Sequence, residues 1–203
     1  MADEMTLAAL AETLTTTLGD ARNRNADADA PTRYIRVAVA DLHRVRPRLR
    51  LHTITLAAGV ARYEMPTDAV RVQRTGWHAA WQAIAPWNRM GVTLPVATVH
   101  TAGAARELEL SPAPSAAFLA LVGHIHSLHY YAQHTVGETE ADTSVPLEDR
   151  ALVILRAQAE AMKEIALSNS GKPGSIKGGD ASMPRNSTPA AVYQELMAEF
   201  ERS

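Results

Sequence analysis

Apolar residues near the start of the chain recur with the period of a helix. Leu7, Leu10, Ala11, Leu14 and Leu18 form one stripe. Gly19 follows, a residue suited to the left-handed backbone that ends helices. A helix is predicted over residues 5–18. Residues 21–30 are polar and aperiodic and read as a loop. A second stripe of Ile35, Ala38, Val39, Leu42 and Val45 predicts a helix opened by Pro31 and closed by Pro47. The period then switches to two. Thr53, Thr55 and Ala57 alternate with Ile54, Leu56 and Ala58, and Gly59 breaks the run. Tyr63 and Met65 then alternate with Arg62 and Glu64. Pro66-Thr67-Asp68 stops that segment and Val70–Arg74 begins another. Three extended segments in succession predict a β-meander.

Trp77 and Trp81 are spaced for a helical turn, although a strand fits equally, and Pro86 breaks either. Val92–Leu94 and Val96–Val99 read as strand, with Pro95 marking an edge. Arg106–Leu110 alternates, with Leu108 and Leu110 inward. Residues 116–131 fit a helix through Phe118, Leu121, Val122, Ile125 and Leu128, or a strand. Gly123 at the centre favours the strand, which is the expectation. Residues 137–144 form an acidic loop carrying Glu138, Glu140 and Asp142. A long helix is predicted over Pro146–Ser168, buried through Leu147, Ala151, Ile154, Leu155, Met162 and Ile165. Glu148 and Asp149 sit at the positive end of its dipole. Residues 169–187 hold four Gly and two Pro with little to bury, so a flexible segment is expected. Thr188 and Pro189 open a last helix with Val192, Tyr193, Leu196, Met197 and Phe200 on one side. A helix so short is unstable alone in water. Its apolar face must dock on its own domain or on another protein.

The expected fold class is therefore α+β. A helical bundle, made from the N-terminal helices and the long late helix, carries an inserted antiparallel β-domain and a flexible C-terminal arm ending in a short helix. The expected divisions are 1–48, 49–136, 137–168 and 169–203.

Composition changes this picture little. At 203 residues with 46% hydrophobic positions, the chain can bury a core, and at 5% aromatics that core rests on Leu, Val, Ile and Ala. A net charge of −2 predicts no general affinity for nucleic acid. The absence of cysteine excludes disulfides and thiolate metal sites. No apolar run approaches the roughly 18 residues of a membrane span. Asp3, Glu4 and Glu12 do not suit a signal peptide, so a soluble intracellular protein is expected. Charge is uneven in one place: Arg33, Arg36, Arg44, Arg46, Arg48 and Arg50 crowd the second helix and its exit, opposed there only by Asp41.

Motifs for chemistry are sparse. His124, His126, His129 and His134 cluster, with His78 and His100 elsewhere, but no carboxylate completes a metal site among them and HExxH spacing is absent. There is no GxxxxGK[ST], GxGxxG or GxSxG. Glu107 and Glu109 alternate on a strand and fit its solvated face. No catalytic residue, metal or cofactor is expected. The arginines of the second helix read as a solvated face or as a charged contact with a partner. In the second reading the partner is DNA phosphates passing nearby, or a neighbouring subunit whose Glu138, Glu140 and Asp142 meet Arg36, Arg44 and Arg46.

The stretch RPRLRLHTITLAAGVARYEMPTD, followed by a strand returning through Trp77, resembles tailed-phage head-to-tail adaptor proteins, also called connector or head-completion proteins. The later stretch HYYAQHTVGETEADTSVPLEDRALVILRAQAEAM resembles them too, and favours a strand ahead of it. The resemblance implies a structural virion protein and no enzyme. It implies a homo-oligomeric ring, typically of twelve, beneath the portal at the capsid vertex, assembled in the host cytoplasm. That ring would extend the channel through which DNA passes and give the tail or a stopper protein its docking platform. Val192, Tyr193, Leu196, Met197 and Phe200 would bind the portal, and Trp77, Trp81 and Trp87 would lie on the tail side. No membrane is implied. Two other readings stay open: a tail or baseplate protein stacking sugars on Trp77, Trp81 and Trp87, and a metal-dependent enzyme built on the histidines.

Overall fold

The computed structural model describes residues 4–19, 27–103, 105–170 and 188–203. The expected loop over 21–30 lies largely outside them, and the expected flexible segment over 169–187 almost entirely so. The protein is α+β, with six α-helices and two small antiparallel sheets among the described residues. It divides into two compact units. Unit 1 is residues 1–46 with 134–203, and unit 2 is residues 47–133.

Unit 1 is helical. Helix α1 spans Leu7–Leu18, with the Thr6 hydroxyl accepting from Ala9 N at its start and Gly19 at its end. Helix α2 spans Ala30–Leu42, helix α5 Arg150–Ser170 and helix α6 Pro189–Arg202. Helix α2 ends at Leu42, earlier than Pro47 requires. A turn at residues 43–46, bonded Arg46 N to Leu42 O, carries the chain out. Leu7, Leu10, Leu14, Ile35, Ala38, Val39 and Leu42 bury the predicted stripes, joined by Tyr34.

Helix α5 departs from its predicted amphipathic form. Leu152, Val153, Ile154, Arg156, Ala157, Ala159, Ala161 and Ile165 are all buried. Such residues exceed one face because α5 packs against α1, α2 and α6 at once. Leu147 belongs to a short 3-10 turn over Leu147–Asp149 ahead of the helix and stands exposed, as does Ala151.

Unit 2 holds six strands: β1 Arg48–Thr55, β2 Arg62–Met65, β3 Ala69–Thr75, β4 Val96–Ala102, β5 Ala105–Ser111 and β6 Ile125–Ala132. The first three extended segments exist, but they are not a meander. One sheet has the order β1-β6-β3 and the other β2-β5-β4. The first three strands thus alternate between the sheets, while β4 and β5 pair as neighbours in the second. Both sheets turn apolar residues into a common core: Ile54, Leu128, Tyr130 and Ala132 from one, Met65, Leu108 and Leu110 from the other. Strand β4 is an edge, as Pro95 suggests, and it starts after that proline. Residues 92–95 are not strand.

Residues 116–131 are divided between the two readings. Helix α4 spans Ala116–Val122, capped by the Ser115 hydroxyl accepting from Phe118 N, and buries Phe118 and Leu119. Gly123, at φ +90°, then turns the chain into β6. The central glycine separates a helix from a strand and does not interrupt a single strand. Helix α3 spans Gly76–Ala83, which settles Trp77 and Trp81 as helical.

At the head of α3 the helix backbone lies against β6. A Cβ on Gly76 would stand 2.8 Å from the Ser127 carbonyl oxygen and 3.2 Å from Ser127 N. Both are backbone atoms, which cannot swing aside. Gly76→Ala is expected to destabilise unit 2 by about 1–3 kcal/mol through overpacking, read as a lower denaturation midpoint. An unchanged midpoint would show that α3 can slide off the sheet at no cost.

Candidate functional site

The chemistry-bearing and contact-forming side chains fall into separate groups, each set by its own element. Helix α6 is capped by Thr188 Oγ1, which accepts from Ala191 N, and begins with Pro189. It packs on α5, so its apolar side is engaged within its own unit. Phe200 is fully buried in the bundle core, with Met197 packed beside that core. Val192, Tyr193 and Leu196 are half-buried. An exposed pair, Arg44 with Glu201 at 3.2 Å, sits near the end of the helix.

The basic stretch is largely matched by carboxylates of the same chain. Arg33 bonds Asp27 and Glu164, Arg44 lies near Asp41 as well as Glu201, and Arg46 pairs with Asp149 at 3.3 Å. Arg50 pairs with Asp68 inside unit 2. Arg36 is exposed with no ion pair among the described residues. The acidic loop is likewise tied down. Glu140 accepts from Met5 N, and Asp142 accepts from the Thr139 hydroxyl. Glu138 is exposed. Arg46 thus takes its carboxylate from the turn ahead of α5, and among the described residues none of Arg36, Arg44 and Arg46 pairs with Glu138, Glu140 or Asp142 of the same chain.

The three tryptophans do not share a face. Trp77 is fully buried, donates its indole N–H to Pro95 O at 3.4 Å, and meets His126 edge-on. Trp81 packs at a tilt on Phe118 with Arg89 over its ring. Trp87, in the 3-10 turn Pro86–Arg89, is 73% exposed. A three-indole sugar platform therefore lacks Trp77.

Backbone carbonyls hold the histidines apart. His124 Nδ1 donates to Leu56 O, and His126 Nε2 to Gly123 O. His126 and His134 are buried. His134 belongs to unit 1, where its Nε2 donates to Arg46 O at 2.8 Å and fastens the segment entering α5 to the exit of α2. Among the described residues, no three of His, Asp and Glu are placed to hold a metal ion.

Two groups went unforeseen. The first is the buried Arg156, which donates to Asp41 at 2.8 Å and Glu160 at 3.0 Å, while Lys163 donates to Glu160 at 2.8 Å. Its sequence signal was the i,i+4 spacing of Arg156 and Glu160 amid alanines. The second is the outward face of sheet β1-β6-β3. Leu49, Leu51, Thr53 and Thr55 pair with Tyr131, His129, Ser127 and Ile125, and Arg71 and Arg74 pair with Tyr131 and His129. Paired residues share a face, and no side chain on this one is buried. Leu49, Leu51 and Ile125 are 53%, 58% and 72% exposed. The alternation around Ile54 and Leu56 already placed the two leucines on the opposite side.

Burial alone raises the Glu160 carboxyl, but the bonds from Lys163 and Arg156 outweigh it and hold the group below its usual range. A depressed carboxylate stabilises the fold above its unfolded pKa of about 4.3, and that contribution is lost as pH falls through the folded value. Unit 1 is thus expected to weaken below about pH 4. Arg156→Ala, which takes from Asp41 and Glu160 their shared buried partner and leaves them only Arg44 and Lys163, should cost about 3 kcal/mol. Denaturant unfolding at neutral pH and at pH 3 checks both. A variant as stable as the parent would remove this network from the account.

No described helix is long and apolar enough to cross a membrane. The family model described as SU10 adaptor protein matches residues 5–192, a span that takes in all of unit 2 and most of unit 1. No curated protein matches the chain.

Proposed function

The chain belongs to the SU10 adaptor protein family, which makes it a phage structural adaptor, and on that premise we propose that it forms the head-to-tail adaptor ring of a tailed-phage virion. In this reading the ring binds the portal, extends the DNA channel and gives the tail or its stopper a docking platform. The observation that carries the reading is the extent of the family match, which runs through the helical unit and the β-rich unit alike. Two independently packed units suit a part that must grip different neighbours, one through helices and one through a sheet. The helical unit contributes the ring's wall, and the tail side falls to the part of unit 2 where Trp87 and the rim of Trp81 are the accessible indoles.

Portal contact is assigned to the C-terminal helix. Phe200 anchors α6 to α5, while the half-buried Val192, Tyr193, Leu196 and Met197 offer their remaining surface to the portal. The two roles separate by substitution. Phe200→Ala should destabilise the bundle by about 3–5 kcal/mol. Val192→Glu with Leu196→Glu should cost the bundle less than Phe200→Ala, since both positions keep part of their surface in solvent, yet abolish co-sedimentation with portal. If the double variant bound portal as the parent does, α6 would be excluded as the portal contact.

The ring itself is tested by mixing the purified chain with its portal and imaging the particles by electron microscopy. Ring-shaped density stacked on the portal is expected. Bare portals at saturating protein would overturn the assignment.

A further inference from the structure

The outward face of sheet β1-β6-β3 is unusual for a solvated sheet. An antiparallel sheet with one face on the core normally turns polar residues to water. Here Leu49, Leu51 and Ile125 stand more than half exposed, with Arg71 and Arg74 beside them and no carboxylate on the face. Strand β1 also ends the sheet, so one of its hydrogen-bonding edges is unpaired by any strand. We infer that this face docks on a second copy of the chain, against the apolar, acid-rimmed groove where α5 begins. The inference rests on the ring reading above and names the surfaces that would build it.

The occupant is argued from the chain's own chemistry. Unit 2 carries seven arginines, no lysine and four carboxylates, a net charge of +3, so the rest of the chain is −5 within the total of −2. In unit 1, Leu147 is 54% exposed on an open groove of about 500 Å³ that Ile154 and Leu155 also line, with Glu148 at its side. Glu4 and Glu12 line the adjoining hollow, which shares Thr13 and Arg150 with the groove. Arg150 is the one cation there, and it donates to Thr13 Oγ1 at 2.8 Å. An apolar face bearing arginines thus has its counterpart in an apolar groove bearing glutamates. The two patches are different, so the contact is heterologous and propagates from copy to copy, closing only as a ring. DNA is the weaker occupant for this face. Phosphates are held by cations and hydrogen-bond donors, and three aliphatic side chains would be buried against neither.

The test uses the absence of cysteine from the chain. A full-length Leu51→Cys/Leu147→Cys variant is oxidised mildly, alone at high concentration and in the presence of portal. A ladder of covalent multimers beyond the dimer is expected, while each single-cysteine variant stays monomeric. Arg71→Glu with Arg74→Glu should slow the ladder about tenfold, equivalent to one lost rim attraction, and adding Glu148→Arg should restore it. Dimers from Leu51→Cys alone would overturn the inference, because the face would then pair with itself. Rings on the portal without a ladder would overturn this contact and leave the ring reading standing. No multimer by any method, with or without portal, would remove both. DNA retention abolished by Arg71→Glu/Arg74→Glu and untouched by Leu51→Ser would reassign the face to nucleic acid.

Discussion

Helix α5 is the member on which the helical unit depends, because it is the element that α1, α2 and α6 all touch. A helix with three neighbours cannot keep a solvated side for most of its length. Its sequence answers with small residues where neighbours come close: Ala157, Ala159 and Ala161 are all nearly or fully buried. Alanine loses no side-chain entropy on burial and allows close approach of helix axes. The cost is that one long charged residue, Arg156, is enclosed with them. An enclosed guanidinium is tolerable only with its hydrogen bonds satisfied, and Asp41 from α2 supplies one from across the interface. The same bond that neutralises Arg156 therefore fixes which part of α2 faces α5.

Unit 2 solves a different problem. It is an insertion, so its two ends must leave and rejoin unit 1 in neighbouring places. Pairing its first strand with its last does this directly. Arg48 lies opposite Ala132, and Ala69 lies opposite Ala132 from the other side. With β6 at the centre, the sheet cannot form until the whole insertion has been made, which gives this unit the non-local contacts typical of slower folding. Within unit 1, His134 donates to Arg46 O just where the chain leaves and returns.

Periodicity made the elements legible and left their partners open. The stripes of α1, α2 and α6, the Thr188 cap of α6, and the alternation of Leu108 and Leu110 are local properties, and the structure keeps them. Strand pairing is not local. Three successive strands suggest a meander by proximity, yet β1 and β2 end in different sheets because their partners, β6 and β5, lie far along the chain. Residues 116–131 misled for a related reason. Gly123 was weighed as an irregularity inside one element, whereas it is the left-handed hinge between two. Contact surfaces were less visible still. The arginines around α2 looked free because their carboxylates, Glu164, Glu201 and Asp149, lie more than a hundred residues away in sequence. Trp77 looked available because sequence carries no record of which indole the sheets enclose. The family resemblance, carried by two stretches of the chain, anticipated the phage adaptor family that the match over residues 5–192 shows.

The attachment of α6 shows how these energies bear on assembly. Its ionic contact, Arg44 with Glu201, joins two side chains about half exposed, and such pairs contribute roughly 0–1 kcal/mol. Fourteen residues do not sustain a helix alone. What holds α6 helical and in place is therefore chiefly the burial of Phe200, aided by the half-buried residues on the same side. A contact that approached this helix from outside and used the Val192–Met197 surface would add to that anchorage without competing for it. One that required the Phe200 ring would first have to open the bundle core. Geometry thus favours partners that clasp α6 where it lies, so that binding tightens the adaptor's own helical unit.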